Sequence, residues 1–231
     1  MKKEKIVSLC QPDNNKSCSA CCGLFNHKNI SKKFLTSFLK QNKNFSPKNI
    51  NDTESNTHHC YAVRDHGSHI CQYQGFLSTG RPGCLLHPAI NNEDLRVKSL
   101  FGKKICEAFL CPAHSLLTDE EKKTLISMVE SWYLYSIAVI DPESYSWILK
   151  EIKKLPGISH NEKTVKILLS GALRVHARYL AECDGVVFFY SISEYNLGKG
   201  KFTLTADSER AAHEREHIKK IIGRLAKKSG L

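Results

Sequence analysis

Within SCSACCGLFN, residues 17–26, three sulfurs fall in five positions: Cys18 and Cys21 form a Cys-x-x-Cys step, and Cys22 follows directly. A two-residue spacer brings paired sulfurs about one ion's width apart, and for that reason it recurs in zinc and iron–sulfur sites. Cys71, Cys84, Cys106 and Cys111, the last followed by Pro112, return in a pattern that can meet this first group. Soft thiolates with few competing oxygens select zinc, copper(I) or iron–sulfur over magnesium or calcium. Side chains of successive residues diverge, so Cys21 and Cys22 fit two centres, or one multi-iron cluster, better than one tetrahedral ion. Nine of the ten cysteines precede residue 112 and only Cys183 lies in the second half, a segregation that dispersed core cysteines would not show.

Histidines supply further candidates. His58, His59, Cys60, His66 and His69 crowd the stretch THHCYAVRDHGSHIC, where a polar, His-rich loop is a simpler reading than ligation. His87, three residues after Cys84, is the better single auxiliary ligand, with a packed or hydrogen-bonded ring as the bland expectation. HEREH at 213–217 satisfies His-Glu-x-x-His, with His213 and His217 one helical turn apart and Glu214 in the place of a base. Its flanks are charged, whereas a metallopeptidase helix is apolar there, so the match reads as chance.

The segments SCSACC, CQYQGFLSTGRPGCLLHP and CEAFLCP resemble the bacterial cysteine-cluster proteins of the YkgJ-like family, a zinc- or iron-chelating domain described by eight shared cysteines. The resemblance covers about residues 10–112. Carried over, it implicates Cys18, Cys21, Cys22, Cys71, Cys84, Cys106 and Cys111 as metal ligands, with Cys10 as the eighth. The chain departs from the family pattern in a longer Cys10–Cys18 spacing and an additional polar loop at 41–57. One branch of the family resembles flagellin lysine methylases with an iron–sulfur cluster. The resemblance and the Cys21–Cys22 adjacency lean toward a cluster of the 4Fe-4S type, and zinc stays open.

The elements that must hold these residues divide near 115. Residues 1–115 read as an irregular cysteine-cluster module, broken by Gly and Pro as in GRPGCLLHP, with one short amphipathic helix at 31–40 capped by Ser31 and presenting Phe34, Leu35, Phe38 and Leu39. Residues 116–231 read as mostly helical. Thr118 and Glu121 make a capping box that opens a helix carrying Leu125, Met128, Val129, Trp132 and Ser136 on one face. Asp141-Pro142 starts a helix that stops near Pro156, and SHNE at 159–162 leads a longer one to about Glu182. The runs GVVFFYSI and KFTLT predict a small hairpin near 185–205, before a last charged helix from about Asp207 to Lys228. The fold class expected is α-rich with minor β.

Charge narrows the function. The net +11 is terminal: residues 1–50 carry ten Lys against two acids, and residues 210–231 carry seven bases against two acids. The absence of arginine from residues 1–50 and the scarcity of free aromatics argue against a nucleic-acid surface and for solvated lysine. No apolar run approaches the roughly 20 residues that span a bilayer, and no signal-peptide core is visible, so a cytoplasmic protein with no membrane partner is expected. In such a reducing compartment, dense cysteines mean metal or redox chemistry rather than disulfides. The function expected is metal binding through N-terminal thiolates. The alternatives are an iron–sulfur-dependent protein-modifying enzyme and a zinc-stapled adaptor for an acidic partner protein. Catalysis and oligomeric state stay open.

Overall fold

In a computed structural model, residues 8–42, 62–66, 70–99, 101–157, 162–182 and 208–230 are described. The fold is α-rich with minor β, and several of its helices start where the sequence offers a cap. Helix α1 (Lys32–Gln41) opens on Ser31, whose Oγ accepts from the Phe34 amide, and buries Leu35, Phe38 and Leu39. Strands β1 (Gln74–Phe76) and β2 (Pro82–Cys84) pair antiparallel, with Gln74 opposite Cys84. This hairpin falls in a stretch whose composition promised only turns. Three short helices follow: α2 (Pro88–Asn91), α3 (Gly102–Ala108) and α4 (Ala113–Leu116), with a 3-10 turn at Leu95–Lys98 between the first two.

Beyond these lies a layer of longer helices. Helix α5 (Asp119–Met128) carries the full capping box: the Thr118 hydroxyl accepts from the Glu121 amide, and the Glu121 carboxylate accepts from the Thr118 amide. It does not run on through Trp132 as the periodicity suggested. Val129, fully buried, leaves the helix in an extended conformation, and α6 (Trp132–Ile140) begins anew after Ser131. The reason is a change of environment. Helix α5 is half exposed, whereas α6 is buried at every position from Tyr133 to Ile140 and must enter the core along a different axis.

Helix α7 (Pro142–Lys153) starts on Asp141, whose Oδ1 accepts from the Ser144 amide, with Pro142 in the first turn. Helix α8 (Glu162–Glu182) and helix α9 (Ser208–Lys228) are the two longest and pack against each other, with α8 also touching α5, α6 and α7. Gly171 permits the close approach of α8 and α9, since a Cβ there would lie 2.5 Å from Leu225 Cδ1. The expected cap at Ser159 and the expected hairpin at 185–205 lie outside the described residues. Among the described residues no helix is long and apolar enough to cross a membrane.

One large core joins the two halves of the chain, from Leu9, Leu24, Phe25 and Ile30 to Ile137, Ile140, Leu169 and Ile222. Two buried tyrosines of α6 tie the N-terminal loops to it by donating to main-chain carbonyls: Tyr135 to Leu9 at 2.9 Å and Tyr133 to Ile30 at 3.0 Å. A second, smaller core gathers Cys71, Tyr73, Leu86 and Leu95. The cysteine-bearing segments lie on these two cores.

Candidate metal centre

Eight cysteines fall among the described residues, and all are free thiols. The fold divides them. Cys10, Cys18, Cys21 and Cys111 line one small cavity together with Leu9, Ala20, Phe109, His114 and Val139. Cys22, Cys71 and Cys84 belong to the second core, and Cys106 joins them from α3. The adjacent pair Cys21 and Cys22 lies where the two groups adjoin: Cys21 lines the first cavity, Cys22 packs on the second core, and the two thiols stay within hydrogen-bond reach of each other.

Backbone and side-chain hydrogen bonds set each group. In the first, the Cys18 amide donates to the Cys10 carbonyl at 3.1 Å, and the Tyr135 contact anchors Leu9 beside it. Gly23, at a φ of 78°, reverses the chain immediately after Cys22 and donates to the Ala20 carbonyl at 2.9 Å. In the second, the Cys71 amide donates to the Cys22 carbonyl at 2.8 Å. The buried Gln74 amide donates to the carbonyls of Cys22 and Cys71, at 3.1 and 2.8 Å. The β1–β2 register brings Cys84 opposite Gln74. Arg96 closes the far end: it forks onto Asp94 at 2.7 and 2.8 Å, pairs with Glu107 at 3.1 Å, and donates to the Cys106 carbonyl at 3.4 Å. Ser99 Oγ lies 3.3 Å from Cys106 Sγ.

Electrostatics follow from burial. Burial, reinforced by neighbouring thiols, pushes Cys10, Cys71 and Cys111 up to about 12 and raises Cys18 well above the ordinary thiol value. Cys84 and Cys106 are raised for the same first reason, with Arg96 opposing. Cys21 is the exception: the hydrogen bond from Cys22 lowers it against its burial, and the same bond raises Cys22. Cys21 bears electrostatically on Cys10 and Cys111 on one side and on Cys71, Cys84 and Cys106 on the other. One thiol of lowered pKa, Cys21, thus lies among thiols that burial holds above their ordinary value. Among the described residues, no three His, Cys, Asp or Glu side chains stand together as a ready-made ion site.

The histidine candidates separate. His87 caps α2, its Nδ1 accepting from the Ala89 amide at 3.2 Å, which is the hydrogen-bonded outcome rather than ligation. His58, His59, Cys60, His69 and Cys183 lie outside the described residues, and His66 is exposed. In HEREH, Glu214 faces the interior and holds the buried His176, Oε1 to Nδ1 at 2.5 Å, while His213 and His217 flank Tyr179 on another face. A base committed to His176 does not serve a metal on His213 and His217.

Sequence reasoning missed three features. His114, in the same cavity as Cys10, was signalled by Cys111-x-x-His114, the same spacing as Cys18-x-x-Cys21. Gln74 and Arg96, which pin the second group, carry no signal in a single sequence. The Asp141–His176–Glu214 cluster joins residues far apart in the chain. No family model matches this chain, and comparisons with curated proteins and with solved structures find no match either, so the site is read from its own residues.

Proposed function

We propose that this protein is a metal-binding protein that holds zinc or an iron–sulfur cluster through its thiols. One group is Cys10, Cys18, Cys21 and Cys111, and the other is Cys22, Cys71, Cys84 and Cys106. The observation that carries the reading is the convergence of eight free cysteines, from segments up to about a hundred residues apart, on two adjoining groups around Cys21. Burying so many thiols as mere small hydrophobes does not require them to meet. Soft sulfur donors in a half-buried pocket suit zinc or iron rather than hard cations. The resemblance to cysteine-cluster proteins, drawn from the same residues, points the same way. Bound metal would cross-link the N-terminal loops, the hairpin and α3–α4, segments with little helix or sheet of their own.

The experiment is metal and sulfide analysis of the full chain purified without oxygen. A brown protein with iron and acid-labile sulfide selects the cluster, whereas a colourless one with zinc selects the single ions. Cys21→Ser is expected to lower the metal content and loosen residues 8–112. A wild-type chain that stays metal-free after anaerobic reconstitution with either metal overturns the proposal.

A further inference from the structure

Across the first cavity, Cys111 and His114 repeat the spacing of Cys18 and Cys21, two donors three residues apart on a turn. The turn is closed by the His114 amide donating to the Cys111 carbonyl at 2.9 Å. A step of three residues returns two side chains to one side of the chain, which lets both reach a single ion. The ring follows the turn. His114 Nε2 lies 3.6 Å from Cys10 Sγ, and the imidazole lines the cavity with Cys18, Cys21 and Cys111. Two ligands of one tetrahedral ion have a defined separation. With metal–sulfur and metal–nitrogen bonds of about 2.3 and 2.05 Å, sulfur and nitrogen stand about 3.6 Å apart. The Cys10–His114 pair, within hydrogen-bond reach as thiol and imidazole, has that separation.

We infer that His114 is a metal donor, and that Cys10, Cys18, Cys111 and His114 take one zinc-type divalent cation in a mixed sulfur–nitrogen site distinct from the all-sulfur group of Cys22, Cys71, Cys84 and Cys106. The inference rests on the thiol-based reading above and assigns its first group a ligand and an ion class. The polar lining of this small cavity is the four sulfurs and the His114 ring, among the apolar side chains of Leu9, Phe109 and Val139. The buried Nδ1 of His114 has no hydrogen-bond partner among the described residues, so Cys10 is the polar group the ring addresses. Cys18 and Cys111 line the same cavity but do not yet stand with the pair as a three-donor site. They complete the set when the ion draws them in and displaces their protons. Cys21, which the thiol-based reading counts in the first group, lines the same cavity, and His114 takes its place as the fourth donor.

The test uses the full chain, stripped by a chelator under reductant and titrated with zinc against a chromophoric competitor, and with cobalt(II) as a spectroscopic probe. His114→Gln is expected to weaken one zinc site by about 100-fold or more and to leave the other unchanged, since even an outer-shell partner of a ligand is worth 10–100-fold. His114→Cys is expected to restore tight binding with the cobalt bands shifted to longer wavelength, as sulfur replaces nitrogen. Zinc-edge X-ray absorption of the wild type, which needs no variant to fold, is expected to show imidazole scattering. A wild type that binds metal through sulfur alone, or that fills its first group with iron and sulfide, overturns the inference and leaves the thiol reading standing. So does a folded His114→Gln with wild-type affinity and cobalt spectrum. A wild type that takes up neither zinc nor cobalt overturns the inference, and if iron also fails to load, the thiol reading falls with it.

Discussion

Changing Asp141 to Asn isolates the most concentrated charge in the helical layer. His176, 1% exposed, lies between two carboxylates: Asp141 Oδ2 is 3.2 Å from Nε2 and Glu214 Oε1 is 2.5 Å from Nδ1. The Asp141 contact is an ion pair without hydrogen-bond alignment. Burial by itself pushes the imidazolium pKa down, but the two carboxylates outweigh it and raise it to about 9 from the ordinary 6.5. A rise of that size corresponds to about 3 kcal/mol favouring the charged form in the fold. Because the folded pKa is raised, this contribution is complete below about pH 6.5, falls by about 1.4 kcal/mol per pH unit above it, and is gone above about pH 9. Asp141→Asn keeps the oxygen that caps α7 at Ser144 and removes only the charge.

The variant is expected to lose about 2 kcal/mol near pH 6, with the deficit shrinking to less than about 1 kcal/mol near pH 10. The assay is urea unfolding of both proteins, metal-free and reduced, followed by far-UV circular dichroism across that range. Subtracting the two curves matters, because the buried thiols also cost stability at high pH and cancel in the difference. NMR should show the His176 ring still protonated at pH 8. A deficit independent of pH, or a ring that titrates near 6.5, refutes the reasoning.

The division of the thiols can be probed one group at a time. Tyr135→Phe leaves the buried Leu9 carbonyl without its donor, should cost about 1–2 kcal/mol, and should speed alkylation of Cys10 more than of Cys71, read by mass spectrometry. Gln74→Leu removes the amide that joins Cys22 to Cys71 and should invert that preference; equal acceleration of both thiols in either variant refutes the division. Thr118→Ala breaks the α5 capping box and should lower thermal stability by about 1 kcal/mol, and no change would show that the cap is redundant. Metal uptake at neutral pH should release protons, because thiols that burial holds above the ordinary range must ionise, and silent uptake in a weakly buffered indicator assay contradicts that account.

Local signals were legible in the chain itself. Ser31, Thr118 with Glu121, and Asp141-Pro142 each marked a helix start, because a cap acts on amides two or three residues away and needs no distant partner. The Cys-x-x-Cys step brings Cys18 and Cys21 to one cavity for the same reason. Tertiary structure decided what spacing cannot encode. It ended α5 at Met128, because the next helix is buried on all sides and enters the core on its own axis. It turned Cys21 and Cys22 to different groups, placed His114 beside Cys10 across a hundred residues of chain, and bound Glu214 to His176. A sequence carries the order of donors along the chain, but which of them share a pocket depends on which surfaces the two cores bury against each other.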